Sequence, residues 1–204
     1  MNNQRNRQIY RLWALVYDSW IPFFYGRTRR RAIELLGLQT GEHLLIPGIG
    51  TGLDLPHIPA GVSILGADLS PDMLTKANRK AQGRDVTLLE MDVQTLDFAD
   101  ASFDAVLFNL ILTVVPDGAA AFAEGWWTLK PGGRAVIFDK FLPEGAALTP
   151  GRRLLGRALS LIGTDPNRRL NDIIAGTPDL MIELDEPSLL RGQYRTLLLR
   201  KQAC

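Results

Sequence analysis

Between Leu44 and Gly52 the chain reads Leu-Leu-Ile-Pro-Gly-Ile-Gly-Thr-Gly, and Asp68 follows sixteen residues after the last of those glycines. An apolar strand running into glycines at alternate positions lets backbone N–H groups approach a ligand without Cβ interference, where a helix begins. A carboxylate at the tip of the next strand then stands beside that ligand, placed to accept hydrogen bonds from ribose hydroxyls. Together these features predict a nucleoside-bearing cofactor at the carboxyl end of a parallel sheet.

The rest of the chain alternates in the way such a sheet requires. Strands are expected at His43 to Pro47, Val62 to Ala67, Val86 to Met91 (ending in Asp92), Phe103 to Phe108 (ending at Asn109) and Arg134 to Phe138. A short helix starts at Gly52 and is stopped by Pro56 and Pro59, and a longer one runs from the N-cap Ser70 and Pro71 to about Gln82. Residues 117–130 are Ala-rich and helical, with Pro131-Gly132-Gly133 turning the chain into the fifth strand. Leu180 to Leu184 and Tyr194 to Leu199 are too close in sequence for a crossover helix, which makes them an antiparallel pair at the sheet edge. The fold class is α/β: a doubly wound, mostly parallel seven-stranded sheet in one domain over residues 1–204.

Composition narrows the chemistry. With 46% apolar residues, 22% charged and a formal net charge of +1, the chain reads as a globular protein with one sizeable core. One cysteine, Cys204, and two histidines, His43 and His57, supply no ligand spacing for a metal, so no metal is expected, and a reducing, cytoplasmic setting is the natural one. No signal peptide or membrane span is expected from the sequence. Near-neutral net charge conceals an asymmetry, because residues 1–31 carry seven arginines against one acid, Asp18, interleaved with Tyr10, Trp13, Tyr17, Trp20, Phe23, Phe24 and Tyr25. Two readings stay open: an amphipathic helix packed on the domain, or a basic-aromatic segment that meets an anionic lipid surface while covering the cofactor. Nothing beyond charge speaks for nucleic acid. A second basic-amphipathic element spans Pro150 to Gly176, where Arg152, Arg153, Arg157, Arg168 and Arg169 are suited to gripping phosphate or to an ordinary solvated helix face. Two such elements favour a phospholipid acceptor and peripheral contact with the inner membrane face.

The motifs GIGTG, ADLSPDML, LLEMD, FDAVLFN and LKPGG, in that order at fitting spacings, resemble the Rossmann-like class I S-adenosylmethionine-dependent methyltransferases. More narrowly, Tyr17-Asp18, GTGLDLP and LSPDML are similar to the branch of bacterial phosphatidylethanolamine N-methyltransferases and ubiquinone/menaquinone C-methyltransferases. The resemblance implies S-adenosyl-L-methionine as cofactor, S-adenosyl-L-homocysteine as product, and an N-terminal lid over residues 1–37 on a core of 42–204. The acceptor it implies is an ethanolamine phospholipid, with a quinone precursor or another small molecule as the alternative. Gly48, Ile49 and Gly50 would lie against the methionine and ribose part. Asp68 would hold the ribose hydroxyls, Leu69 and Met73 would flank the adenine, and Asp92 with the Val93 backbone would meet its amino group. Asn109 and Leu110 would line the methyl-transfer end, with Tyr17 folding over the methionine moiety. For an amine acceptor that must lose a proton, Tyr17, Asp18 and Asp139 are the candidate relays, with Tyr17 and Asp139 carried forward as catalytic; Asp139 could instead form a rim ion pair with Lys140.

One departure stands out. Many members carry an acid two positions before the first glycine to hold the cofactor's ammonium, and this chain has Ile46. That role would fall to carbonyls such as those of Gly48 and Asn109, or to Asp18 or Asp54. A dehydrogenase fits poorly, since the dinucleotide fingerprint wants glycine where Leu53 stands. A non-catalytic nucleotide-binding module remains the alternative from another class.

Overall fold

The computed structural model describes residues 24–160 and 163–203. Seven strands form one sheet: β1 (His43–Pro47), β2 (Ser63–Asp68), β3 (Val86–Glu90), β4 (Phe103–Asn109), β5 (Leu129–Lys140), β6 (Leu180–Pro187) and β7 (Tyr194–Lys201). Their order is β3-β2-β1-β4-β5-β7-β6. The first five pair in parallel, whereas β7 runs antiparallel to both β5 and β6. The two central strands β1 and β4 are apolar almost throughout, because helices cover both faces of the sheet there.

Helix α1 (24–36) and α2 (Pro71–Lys80) close one face, burying Ile33, Leu36, Leu44, Ile46 and Phe138. Helices α3 (Gly118–Trp127) and α5 (Leu170–Ile174) close the other around Phe108, Phe122 and Trp126. Helix α4 (Pro150–Ser160) lies between β5 and α5 in sequence. Capping follows the sequence signals. The Ser70 hydroxyl accepts from Met73 N at 3.4 Å, and Asp117 accepts from Ala120 N at 3.0 Å. At the far end of α3, Lys201 Nζ donates to the carbonyls of Trp126 and Leu129 at 3.1 and 3.0 Å, tying β7 to the end of the helix and the start of β5.

Three boundaries differ from the sequence reading. The segment after Gly52 forms only a 3-10 turn, Leu55–His57, since Pro56 sits in its first turn and Pro59 ends it. Helix α3 stops at Trp127 because Leu129 is already paired with Phe103 in β5. Pro131-Gly132-Gly133 is therefore an irregularity inside that strand, where the register shifts between Phe103 and Ala105 and Gly132 takes φ +76°.

Candidate cofactor site

Strand β1 delivers the chain to the centre of the sheet's carboxyl edge, where it turns through Gly48, Gly50 and Gly52 at φ +69°, +58° and +73°. Side chains rarely adopt such values, so the turn needs glycine. The three positions have different neighbours. A Cβ on Gly48 would collide with the Ile111 side chain, and one on Gly52 would come within 2.9 Å of Leu55 Cδ1 and 3.0 Å of Ala77 Cα in α2. Over Gly50 the space is open, the nearest atom being the Gly48 carbonyl at 4.0 Å. Gly50 is thus where a ligand can lie on bare backbone.

The amides of this loop are already engaged, contrary to the picture of N–H groups awaiting a ligand. Gly48 N and Ile49 N both donate to the Ala67 carbonyl, at 2.7 and 3.1 Å, and Gly52 N donates to Ile49 O at 3.1 Å. Gly50 N donates to Asp68 Oδ2 at 2.9 Å, while Ser70 N donates to Asp68 Oδ1 at 2.9 Å. The loop offers close approach at Gly50, and hydrogen bonds to a ligand there would fall to the side chains around it. Burial raises the Asp68 carboxyl above the usual carboxylate range, opposed by the amides of Ser70, Gly50 and Leu69. Its remaining lone pairs, beside the open Gly50, suit the two hydroxyls of a ribose.

Around that centre the other sequence-predicted residues take distinct places. Ile49, Met73 and Val93 are buried in the core, at 2%, 2% and 4% exposure. Leu69 and Leu110 are half-buried. Leu110 has φ +58°, a costly conformation for a branched residue, and its N–H is fixed to Phe138 O at 2.8 Å. Asp92 Oδ1 accepts from the backbone and side-chain nitrogens of Gln94, at 3.0 and 2.8 Å, building the turn that follows β3. Tyr17 and Asp18 lie outside the described residues.

At the tip of β4 the sequence reading missed a buried network. Asp54, 1% exposed, receives the guanidinium of Arg29 in α1 on both oxygens: Nε to Oδ1 at 3.0 Å and Nη2 to Oδ2 at 2.7 Å. Asn109 Nδ2 adds a third bond, to Asp54 Oδ1 at 2.9 Å. Helical spacing was the available signal, because Tyr25, Arg29, Ala32, Ile33 and Leu36 share one face of a helix. Nearby, the Tyr25 and Tyr194 hydroxyls lie 2.9 Å apart.

Asp139 has a structural place that its sequence position did not reveal. It is fully buried, accepts from Thr113 N (3.1 Å), Thr113 Oγ1 (2.7 Å) and Lys140 N (2.8 Å), and so anchors the loop after β4. It is not an open proton relay, and its ion pair with Lys140, Nζ to Oδ1 at 3.8 Å, lies in the interior rather than at the rim. Lys140 Nζ donates to Thr113 Oγ1 at 3.0 Å, and burial holds its ammonium below the usual lysine range. The arginines expected to grip phosphate also need correction in part. Arg168 donates to the carbonyls of Leu112, Val115 and Pro116, each at 2.6 Å, and Arg169 to those of Pro143 and Ala146 at 3.0 and 2.8 Å. Both bind the chain itself. Among the described residues no group of three His, Cys, Asp or Glu side chains could hold a metal, and no helix is long and apolar enough to cross a membrane.

A glycine bend with one open face, a carboxylate at the tip of β2 and an amide at the tip of β4, all on a 3-2-1-4-5-7-6 sheet, define a class I methyltransferase. Residues 45–137 match the family model described as a methyltransferase domain. A phosphatidylethanolamine N-methyltransferase of Cereibacter sphaeroides is 31% identical over 76% of this chain and 77% of that protein. A demethylmenaquinone methyltransferase of Thermus thermophilus is 36% identical over 67% of this chain and 65% of its own length. Among solved structures, geranyl diphosphate C-methyltransferase of Streptomyces coelicolor, in complex with S-adenosyl-L-homocysteine, superposes with a TM-score of 0.69 at 16% identity over 86% of this chain and 77% of that one. The [4+2]-cyclase SpnF gives 0.71 at 17% identity over 87% and 81%. The chain belongs to the S-adenosylmethionine-dependent methyltransferases, in the branch that holds the phosphatidylethanolamine N-methyltransferases and the UbiE-type C-methyltransferases. Its cofactor is S-adenosylmethionine.

Proposed function

We propose that the chain N-methylates an ethanolamine phospholipid presented at a membrane surface. The observation that carries this reading is the likeness to the phosphatidylethanolamine enzyme, which extends over 76% of the chain. Charge adds support. An open groove of about 670 Å³ beside α1 is lined by Arg27, Arg30, Arg31 and His57, along with Glu34 and Glu186. Exposed Arg27, Arg30, Arg31 and Phe24 on α1 suit anionic headgroups. A second reading, C-methylation of a quinone precursor, rests on the 36% identity to the demethylmenaquinone enzyme.

When bound, the cofactor supplies a methyl group already activated on a sulfonium. The chain's task is alignment, exclusion of water and keeping the acceptor nitrogen unprotonated. Asp68 and the open backbone at Gly50 hold the nucleoside, and Asp92 with the Val93 backbone meets the base. Asn109 and Leu110 line the transfer end. The ordered loop over 110–115, pinned by Asp139 and Arg168, walls off solvent on the β4 side. With Asp139 closed off, we assign the relay of the acceptor's proton to Tyr17 or Asp18, the phenol passing its own proton on toward solvent as it accepts one.

Incubation with methyl-labelled S-adenosylmethionine and vesicles containing phosphatidylethanolamine tests the assignment. Label is expected in the lipid phase, at a rate that falls with added salt because the surface attraction is screened. Label on demethylmenaquinol alone would establish the second reading, and label only on water-soluble amines would defeat both.

A further inference from the structure

The missing acid at Ile46 raises the question of what receives the ammonium of the cofactor's methionine end. Strand order locates it. With the ribose at Asp68 on β2 and the base toward β3, the methionine end points across β1 to the tip of β4. Two side chains stand there, Asp54 and Asn109. Asp54 is closed to a further cation, because both of its oxygens face the Arg29 guanidinium and the residue is 1% exposed. Asn109 is 5% exposed, and its Oδ1 is buried without a hydrogen-bond donor among the described residues.

That orphan is dictated by its neighbours. A carboxylate only accepts, so Asp54 must be met by the NH2 end of the Asn109 amide, and the planar amide then presents its oxygen on the other side. A carboxylate at this depth is matched by the guanidinium beside it, which engages both of its oxygens. We propose that Arg29 is a positioning residue: by engaging both oxygens of Asp54, it fixes the carboxylate and with it the Asn109 amide, so that Oδ1 accepts a hydrogen bond from the ammonium of S-adenosylmethionine. A neutral amide thereby does the work that an acidic side chain at position 46 does in many members of the family. Because Arg29 belongs to α1, this arrangement also ties cofactor recognition to the helix that leads out of the amino-terminal segment. The inference rests on the cofactor and is independent of which acceptor is methylated.

The test compares calorimetric binding of S-adenosylhomocysteine with that of its desamino analogue, in which hydrogen replaces the α-amino group. The full wild-type chain is expected to prefer the amine by about tenfold or more, the scale of a hydrogen bond to a charged group. Asn109→Leu should reduce that preference to about twofold or less, while affinity for the desamino analogue changes little. Arg29→Met should do the same without touching the ligand. A general loosening of the site would weaken both ligands alike and preserve the ratio. Should Arg29→Met fail to fold, Asp54→Asn serves instead, since an amide at 54 can meet either end of Asn109 and releases its orientation. A wild-type ratio near one, or a ratio unchanged in Asn109→Leu and in the Arg29 or Asp54 variant, overturns the proposal. If the wild type binds neither ligand, the cofactor assignment itself fails.

Discussion

Replacing Arg29 by methionine keeps an unbranched apolar stem and removes the charge, leaving the Asp54 carboxylate buried with, among the described residues, the Asn109 amide as its side-chain partner. Breaking a buried ion pair by deleting one partner costs about 3–5 kcal/mol, because the remaining charge has lost its compensation. For a chain of this size each kcal/mol lowers the melting temperature by about 2–4 °C, so a drop of roughly 6–20 °C is expected. Urea unfolding followed by circular dichroism gives the free energy directly, through a shifted midpoint at unchanged slope. The double variant Arg29→Met/Asp54→Leu separates a charge effect from lost packing. With both charges gone, the remaining deficit is the Asn109 Nδ2 left without its acceptor, about 1–3 kcal/mol. The double variant should therefore be more stable than the single one. A single variant that loses less than about 1 kcal/mol, or a double variant as unstable as the single, would refute the reasoning.

Three further outcomes follow from the same geometry. Asp68→Ala should weaken S-adenosylhomocysteine binding by about 1–3 kcal/mol in calorimetry, the scale of charge-assisted hydrogen bonds, and unchanged affinity would count against the ribose assignment. Gly48→Ala should destabilise the fold by about 1–3 kcal/mol, since φ +69° is strained for alanine and Ile111 occupies the space; adding Ile111→Ala should recover the clash but not the backbone strain. Glu42 is held below the usual carboxylate range chiefly by its hydrogen bonds with Arg134, at 2.9 and 2.6 Å. Its contribution is therefore present above the unfolded value of about 4.3 and lost as pH falls through the lower folded one. Glu42→Gln should cost about 1–2 kcal/mol at pH 7, and the difference from wild type should vanish in acid; a gap independent of pH would show that charge is not its source.

The strands were legible because burial on both faces writes itself as nearly unbroken apolar runs, as in Phe103–Asn109, and because Ser70 and Pro71 mark a helix start locally. The edge pair β6–β7 was readable from spacing alone. What escaped the sequence depends on partners far apart in the chain. The loop amides of Gly48 and Ile49 are satisfied by a carbonyl of β2, which no local pattern records. Arg29 belongs to a run of arginines that composition assigns to solvent, and only its placement on the apolar face of α1, opposite a carboxylate 25 residues later, makes it interior. Asp139 and Arg168 read as site chemistry because of where they fall, yet their hydrogen bonds go to Thr113 and to carbonyls over 112–116. The boundary of β5 was misjudged because proline and glycine mark breaks in general, while here they mark a bend within a continuing strand.

The position of β7 carries a consequence for assembly. It follows every other strand in sequence, yet it occupies an interior slot, with β5 on one side and β6 on the other. Among the described residues β6 pairs with β7 alone, so its other edge is open, and its acidic residues Glu183, Asp185 and Glu186 discourage that edge from joining another molecule. Arg195 and Arg200 of β7 meet Asp185 and Glu183, Arg31 of α1 meets Glu186, and Lys201 at the end of β7 seals the end of α3. The last strand thus clasps the sheet's acidic margin and a helix end at once.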